Sequence, residues 1–440
     1  MKLRTPVTLF LFIASIAMTA NSSILFERGD ILSTGLRSTD MALGDINGDG
    51  HEDLVFTNMT ESTYGIAFNN GEGAFGAVTT WQLPDGRLNP LALDCGDIDG
   101  DGITDIVIAY NQTIDNSPQP FRDSAILVLW GNGDATFEAL ELGMFGVPSS
   151  VLIEDINADD QPDLVIGNNG GLLFDLGFID QVDPGIVVWT NQGNRSFSAA
   201  DEIVTEGAVI EVKAADINND GLVDIVGSNQ GIPEITLSPI GLVLARTKIS
   251  LFANSDAGLS NTGSVSLELP PWGFDFADLN GDEFIDLAVA ILGKSDSLNV
   301  LEFLGTQTAV KLYRNTGFGF TSFADVNTPG VTFSPIMRDF DLDGDVDLAV
   351  TVQEIQGNLL VPSLRIYEQV EEGVFVEVGS LAVEEEPRYM LTDDFDDDGD
   401  EDLAVLCIIV DGADPTDTAI GRIYVYLNQA ATNVGQWALY

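Results

Sequence analysis

The sequence predicts an all-β chain closed into a seven-bladed β-propeller with a calcium-binding loop in each blade. Three observations lead there. A nine-residue acidic frame recurs seven times, with successive starts 52, 58, 61, 62, 61 and 55 residues apart. Each copy runs straight into a short β-type apolar run. The chain between copies has room for four strands, which is the sequence form of a propeller blade.

The first copy is Asp45–Asp53, DINGDGHED, and the others start at Asp97, Asp155, Asp216, Asp278, Asp339 and Asp394. Positions 1, 3, 5 and 9 offer hard side-chain oxygens at calcium-loop spacing, position 7 a main-chain carbonyl, and a glycine at position 6 a sharp turn. In loop 1 these residues are Asp45, Asn47, Asp49, His51 and Asp53, and in loop 2 Asp97, Asp99, Asp101, Ile103 and Asp105. Loop 3 has Asp155, Asn157, Asp159, Gln161 and Asp163, and loop 4 has Asp216, Asn218, Asp220, Leu222 and Asp224. Loop 5 has Asp278, Asn280, Asp282, Phe284 and Asp286. Loop 6 has Asp339, Asp341, Asp343, Asp345 and Asp347, and loop 7 has Asp394, Asp396, Asp398, Asp400 and Asp402. Up to seven Ca²⁺ ions are expected, in a structural role.

An EF-hand needs a bidentate acid at position 12. Here that position holds Phe56, Ile108, Ile166, Gly227, Val289, Val350 and Val405, so each loop connects two strands instead. The strand before a loop is an alternating stretch such as Met41–Leu43 or Phe274–Phe276, and the strand after it an apolar run such as Leu54–Phe56. A third follows at Ile66–Asn69, Ile126–Trp130, Ile186–Trp189, Ile249–Phe252, Val310–Tyr313, Leu364–Tyr367 and Ile423–Tyr426. Turn signals such as Asn70-Gly71 lead to a fourth near Phe75, Phe137 or Phe197. The segment Ile24–Leu32 is expected to complete the last blade and close the ring.

The formal net charge of the 440-residue chain is −53, and the seven loops hold 31 of its 70 acidic residues. Bound cations would relieve part of this; the remaining acidity argues against nucleic acid and against anionic membranes as partners. Lys2 and Arg4, then an apolar stretch from Val7 to Ala17 and small residues to Ala20, form an expected secretory signal peptide over residues 1–20. Residues 21–440 would be the propeller, secreted, periplasmic or on the cell surface. Cys95 and Cys407 fall on strands of blades that are not neighbours and are expected to be free thiols.

These loops resemble those of integrin α-subunit head repeats and of bacterial FG-GAP or VCBS repeat proteins. The resemblance covers nearly the whole mature chain and implies the propeller, its calcium and a ligand face opposite the calcium loops. It says little of function, because this scaffold hosts adhesins, lectins and polysaccharide-acting enzymes alike. Asp160 and Glu283 replace the position-6 glycine in loops 3 and 5, and loop 5 is expected to be the weaker site.

His51 is the only histidine, which leaves no histidine triad or histidine metal site. Gly71–Gly76 matches G-x-G-x-x-G but sits in an expected hairpin turn and opens no helix. Long connections between second and third strands, roughly 111–123, 168–185, 228–248, 293–309, 353–363 and 411–421, include apolar runs such as Leu172–Phe174 and Ile240–Leu244. On the inner strands Asp94, Glu211, Lys213, Asp275 and Tyr389 share one alternating phase. Lys213 with Tyr389 is a pair to weigh as base and acid in a lyase-like site, against structural salt bridges, which account for these residues equally well. The expected function is an adhesion or recognition module for a protein or glycan ligand, without membrane insertion. The alternative is a polysaccharide lyase or hydrolase on the same scaffold.

Overall fold

A computed structural model describes residues 24–84, 89–111, 124–175, 178–198, 201–230, 232–237, 240–245, 247–255, 258–291, 309–317, 319–356, 359–408 and 420–430. The expected leader, and most of the connections at 111–123, 293–309 and 411–421, lie outside them. Among the described residues no helix is long and apolar enough to cross a membrane.

Seven four-stranded antiparallel sheets follow one another around a ring. Blade 1 has its inner strand at Ser38–Gly44 and continues outward through Asp53–Asn58, Thr63–Ala67 and Thr79–Gln82. The inner strands of blades 2 to 7 are Pro90–Gly96, Pro148–Glu154, Val209–Ala215, Pro271–Ala277, Gly330–Arg338 and Glu386–Asp393. Blade 7 takes its outermost strand, Phe26–Leu36, from the start of the chain, paired antiparallel with Ile420–Asn428. The ring therefore closes as the sequence suggests.

The hydrophobic core is divided into seven seams, each between two neighbouring blades. Second strands such as Asp53–Asn58 and Asp286–Ile291 are buried along their whole length, because both faces of the strand look into a seam. This is why they read as unbroken apolar runs rather than as alternation. The fourth strands begin later than expected in two blades. Phe75 and Phe197 form only isolated bridges, to Asn69 and Asn191, and regular pairing starts at Thr79 and Asp201. Phe75 turns inward to meet Phe395 of blade 7 edge-on at 5.4 Å, and Phe197 stacks against Trp130 of blade 2 at 6.3 Å.

Two extra hairpins, Gly171–Asp175 with Phe178–Val182 and Ile232–Leu237 with Ile240–Ala245, join the second and third strands of blades 3 and 4. In blade 6 the same connection is a lengthened hairpin, Asp347–Gln356 with Leu359–Glu371. Acidic loops follow the ends of inner strands and these hairpins follow the ends of antiparallel second strands, so the two sets occupy opposite faces. Cys95 and Cys407 are free, the first half-buried and the second buried.

Candidate metal loops and axial pocket

All seven loops fold alike, and the aspartate at position 1 explains why. In loop 1 Asp45 accepts the main-chain N–H groups of Gly48, Asp49 and Gly50 at 2.8–3.0 Å, and Asp49 accepts that of His51 at 3.1 Å. The N–H of the position-6 residue donates to the position-1 carboxylate in each loop, through Gly102, Asp160, Gly221, Glu283, Gly344 and Gly399 in the others. A chain this tight needs left-handed backbone at position 6, where Asp160 has φ 65° and Glu283 φ 72°. Position 4 needs it as well, and there Ala158, Asn219, Leu342 and Asp397 lie at 57–59°. Sequence reading anticipated the first constraint and missed the second, although Gly48, Gly100 and Gly281 at position 4 were its signal.

The position-9 aspartates have a different task. One oxygen of Asp53 accepts the N–H of Ile46, the buried apolar residue at position 2, and the other accepts the N–H of Asn69 at the end of the third strand. The same pair of bonds recurs at Asp105, Asp224, Asp286, Asp347 and Asp402. Burial, with the charges of neighbouring loop acids, pushes Asp53 and Asp347 up to about 7 and Asp402 to about 8.

The residue at the third-strand end also ties blades together. Asn69, Asn191, Asn254, Asn315, Gln369 and Asn428 each give their side-chain amide to the position-2 carbonyl of the preceding blade's loop. Asn69 reaches Phe395 of loop 7, so the chain of bridges passes through the ring closure. Blade 2 breaks the series with Gly131, where an added Cβ would lie 2.3 Å from the Thr104 carbonyl oxygen. The G-x-G-x-x-G match belongs to the same turns: Gly71 has φ 71°, and the His51 ring sits where its Cβ would be.

Three loops gather acids closely enough to share one ion. Carboxylate oxygens of Asp97, Asp99 and Asp101, of Asp339, Asp341 and Asp347, and of Asp394, Asp396 and Asp402 lie within 4.8 Å of one another. In loop 7, Asp396 Oδ1 and Asp398 Oδ2 are buried and accept no hydrogen bond. Buried carboxylate oxygens left this way are costly without a counter-charge. A donor set made only of oxygens suits a hard cation such as Ca²⁺ rather than zinc or copper.

The inner-strand polar residues line the axis, as their phase suggested, but they act as clamps. Each inner strand presents an unpaired edge to the channel. Asp40 accepts the N–H of Leu93 in the next blade, Asp94 that of Ile153, Ser150 that of Val212, Glu211 that of Phe274, and Asp275 that of Met337, at 2.8–3.3 Å. Lys213 lies 3.1 Å from Asp275 and 3.8 Å from Glu211. Burial alone would lower its pKa; the pull of the two acids leaves it above the ordinary value. Burial holds Tyr389 well above the ordinary phenol value. A lysine kept protonated is a poor base, which removes the support for Lys213 in that role; a phenol kept neutral is the form an acid needs, but with its pKa held this high Tyr389 is a weak proton donor.

Above these clamps, on the face opposite the acidic loops, the axis widens into a cavity of about 390 Å³ lined by Asp40, Ser150, Glu211, Trp272, Phe333 and Arg388, among others. The Arg388 guanidinium lies 5.1 Å from the Trp272 ring and 5.0 Å from the Phe333 ring, and it pairs with Glu386. Its Nε is buried without a hydrogen bond. Sequence reading missed this cluster, because Trp272, Phe333 and Arg388 come from three blades and no local spacing joins them.

Residues 45–108 and 155–227 match the sequence profile of the FG-GAP-like repeat. No curated protein matches the chain. Among solved structures, the chain is similar to BBS1N in a crystal structure with ARL6DN soaked with mercury, at 12% identity and TM-score 0.55, covering 91% of this chain and 97% of that one. The lead-soaked crystal of the same complex gives 12% identity and TM-score 0.52, with 91% and 96% covered. A functionally unknown protein from Desulfotomaculum acetoxidans DSM 771 is similar at 10% identity and TM-score 0.49, with 80% and 87% covered. At these identities the likeness concerns the fold alone.

Two outcomes are expected. Glu283→Gly relieves the left-handed strain and stabilises the protein by about 1 kcal/mol in urea unfolding; an unchanged or lower midpoint would show that loop 5 carries no strain there. Burial raises Asp40 to about 8, and Asp94 and Glu211 to about 7. Raised acids contribute stability that is complete below the ordinary carboxylate pKa and is lost as pH rises through 7 and 8. The thermal midpoint should therefore fall between pH 5 and pH 8, and less steeply in Asp40→Asn; equal slopes in the two proteins would refute this account.

Proposed function

Because the chain carries FG-GAP-like repeats on a seven-bladed β-propeller, we propose that it is an exported recognition module, held rigid by calcium, for a protein or glycan ligand. The observation that carries this reading is the division of faces. Seven like-folded acidic loops take one face, and the lengthened hairpins of blades 3, 4 and 6 take the other, around the axial pocket. Calcium in the loops would neutralise clustered carboxylates at one rim, and the opposite rim would present variable chain on a stiff base. The −53 charge suits a partner that is neither nucleic acid nor an anionic bilayer. The apolar leader favours export.

Protein binding draws support from the BBS1N structure, which holds a protein of this fold in complex with ARL6DN. The axial pocket favours a second ligand class. Its Trp272 and Phe333 rings, Arg388 and flanking hydroxyls and carboxylates suit a sugar-sized group, with a ring to stack on and polar atoms to reach. Binding without turnover is the reading its chemistry supports, since Lys213 is held protonated between Asp275 and Glu211, the wrong state for a base.

With dissociation constants of about 10⁻⁴ to 10⁻³ M, roughly 1 mM calcium would stabilise by about 0.4 to 1.4 kcal/mol per loop. A chelator should then lower the thermal midpoint by several degrees and calcium restore it; a melt indifferent to both would sink the calcium reading. Retention of the mature chain on immobilised polysaccharides, with eluates checked for released oligosaccharide, tests the ligand. Retention lost in Trp272→Ala and without release identifies a glycan-binding pocket. Release would reinstate the enzyme, and no retention on any glycan would direct the search to protein partners.

A further inference from the structure

Arg195 sits on the turn between the third and fourth strands of blade 3, yet its guanidinium lies in the acidic loop of blade 2. Its Nε donates to Asp99 Oδ2 at 2.6 Å, Nη2 lies 3.6 Å from Asp101 and Nη1 3.3 Å from Glu138. The guanidinium carbon is 5.2 Å from the Trp130 ring centroid, and Trp130 stacks on Phe197 from Arg195's own turn. Asn194 and Arg195 both adopt left-handed backbone, φ 52° and 57°, a conformation that needs outside contacts to hold it.

We propose that Arg195 is a tethered counter-cation of the second loop, which a metal ion must displace from Asp99 in order to bind. The inference rests on the reading that these loops take calcium. Loop 2 has an aspartate at position 3 where loops 1, 3, 4 and 5 have asparagine, so its ligand positions carry one more charge to neutralise. Asp99 Oδ1 accepts the N–H of Asp101 at 3.2 Å, as the asparagine oxygens do at position 3 of loops 1 and 4, and Oδ2, the oxygen an asparagine lacks, is the one Arg195 holds. Asp396, the position-3 acid of loop 7, shows the opposite condition: its Oδ1 is buried and accepts no hydrogen bond. A charge-assisted bond that must break before a ligand oxygen turns to the ion lowers the net affinity. Loop 2 therefore fills at a higher calcium concentration than its four acids alone would set. Filling it also cuts a tie between blades 2 and 3, leaving Arg195 on Glu138 and Trp130.

The test is amide hydrogen exchange of the mature chain across a calcium titration, followed in peptides spanning residues 97–110 and 394–405. Arg195→Met should lower the calcium midpoint of the 97–110 peptide by about two- to fivefold and leave that of 394–405 unchanged. Arg195→Lys, which keeps the charge, should stay near the wild-type midpoint. A midpoint in Arg195→Met that is unchanged or higher overturns the proposal. If residues 394–405 respond to calcium while 97–110 respond in neither protein, displacement is refuted and the calcium reading stands. If no loop peptide responds, the calcium reading fails and this inference with it.

Discussion

The ring depends on a buried carboxylate that accepts two main-chain N–H groups. At position 9 of each loop, an aspartate such as Asp53 or Asp402 holds the start of its own loop with one oxygen and the end of the third strand with the other. Without it, the position-2 N–H and the third-strand N–H would be buried unpaired, each at a cost of about 1 to 3 kcal/mol. The residue fixed in this way is the asparagine or glutamine whose amide reaches the preceding blade. In every repeat but the second, one side chain thus couples a loop, a blade and a seam, in phase with the acidic frame.

Much of this was legible in the sequence, for physical reasons that differ from part to part. The loops could be read because their chemistry is local: nine consecutive residues supply the oxygens and the turn. The second strands could be read because two-sided burial leaves unbroken apolar runs such as Leu54–Phe56. Closure by Phe26–Leu36 could be read because Ile24–Leu32 stands ahead of the first blade's inner strand, outside any repeat. What stayed hidden spans blades. Asn191 looks like an ordinary turn residue until its amide is seen on Ile98, 93 positions away in sequence, and Arg195 looks like a surface residue until Asp99 is placed beneath it. The delayed fourth strands of blades 1 and 3 were hidden for the same reason, since Phe75 and Phe197 answer to rings on other blades.

The inner strands show how one pattern can carry two meanings. An alternating polar phase facing a channel resembles a reaction site, and it also arises wherever strand edges need acceptors. The bonds from Leu93, Ile153, Phe274 and Met337 to acids of the preceding blade settle these positions as acceptors. Above them the requirement lapses, and Trp272, Phe333 and Arg388 meet around open space.

Gly131 gives one seam a thermal character of its own. Between blades 1 and 2 no asparagine or glutamine amide crosses at the loop rim; the seam is held at the axis by the Asp40–Leu93 and Thr39–Pro90 bonds and elsewhere by apolar packing, with Tyr64 stacked on Trp81 at 5.6 Å and meeting Phe137 edge-on at 6.2 Å. Apolar burial loses strength on cooling, whereas hydrogen bonds do not share that dependence. The junction of the first two blades therefore leans more on apolar burial at its rim than the amide-bridged junctions do, and the rim's share of its hold weakens more on cooling.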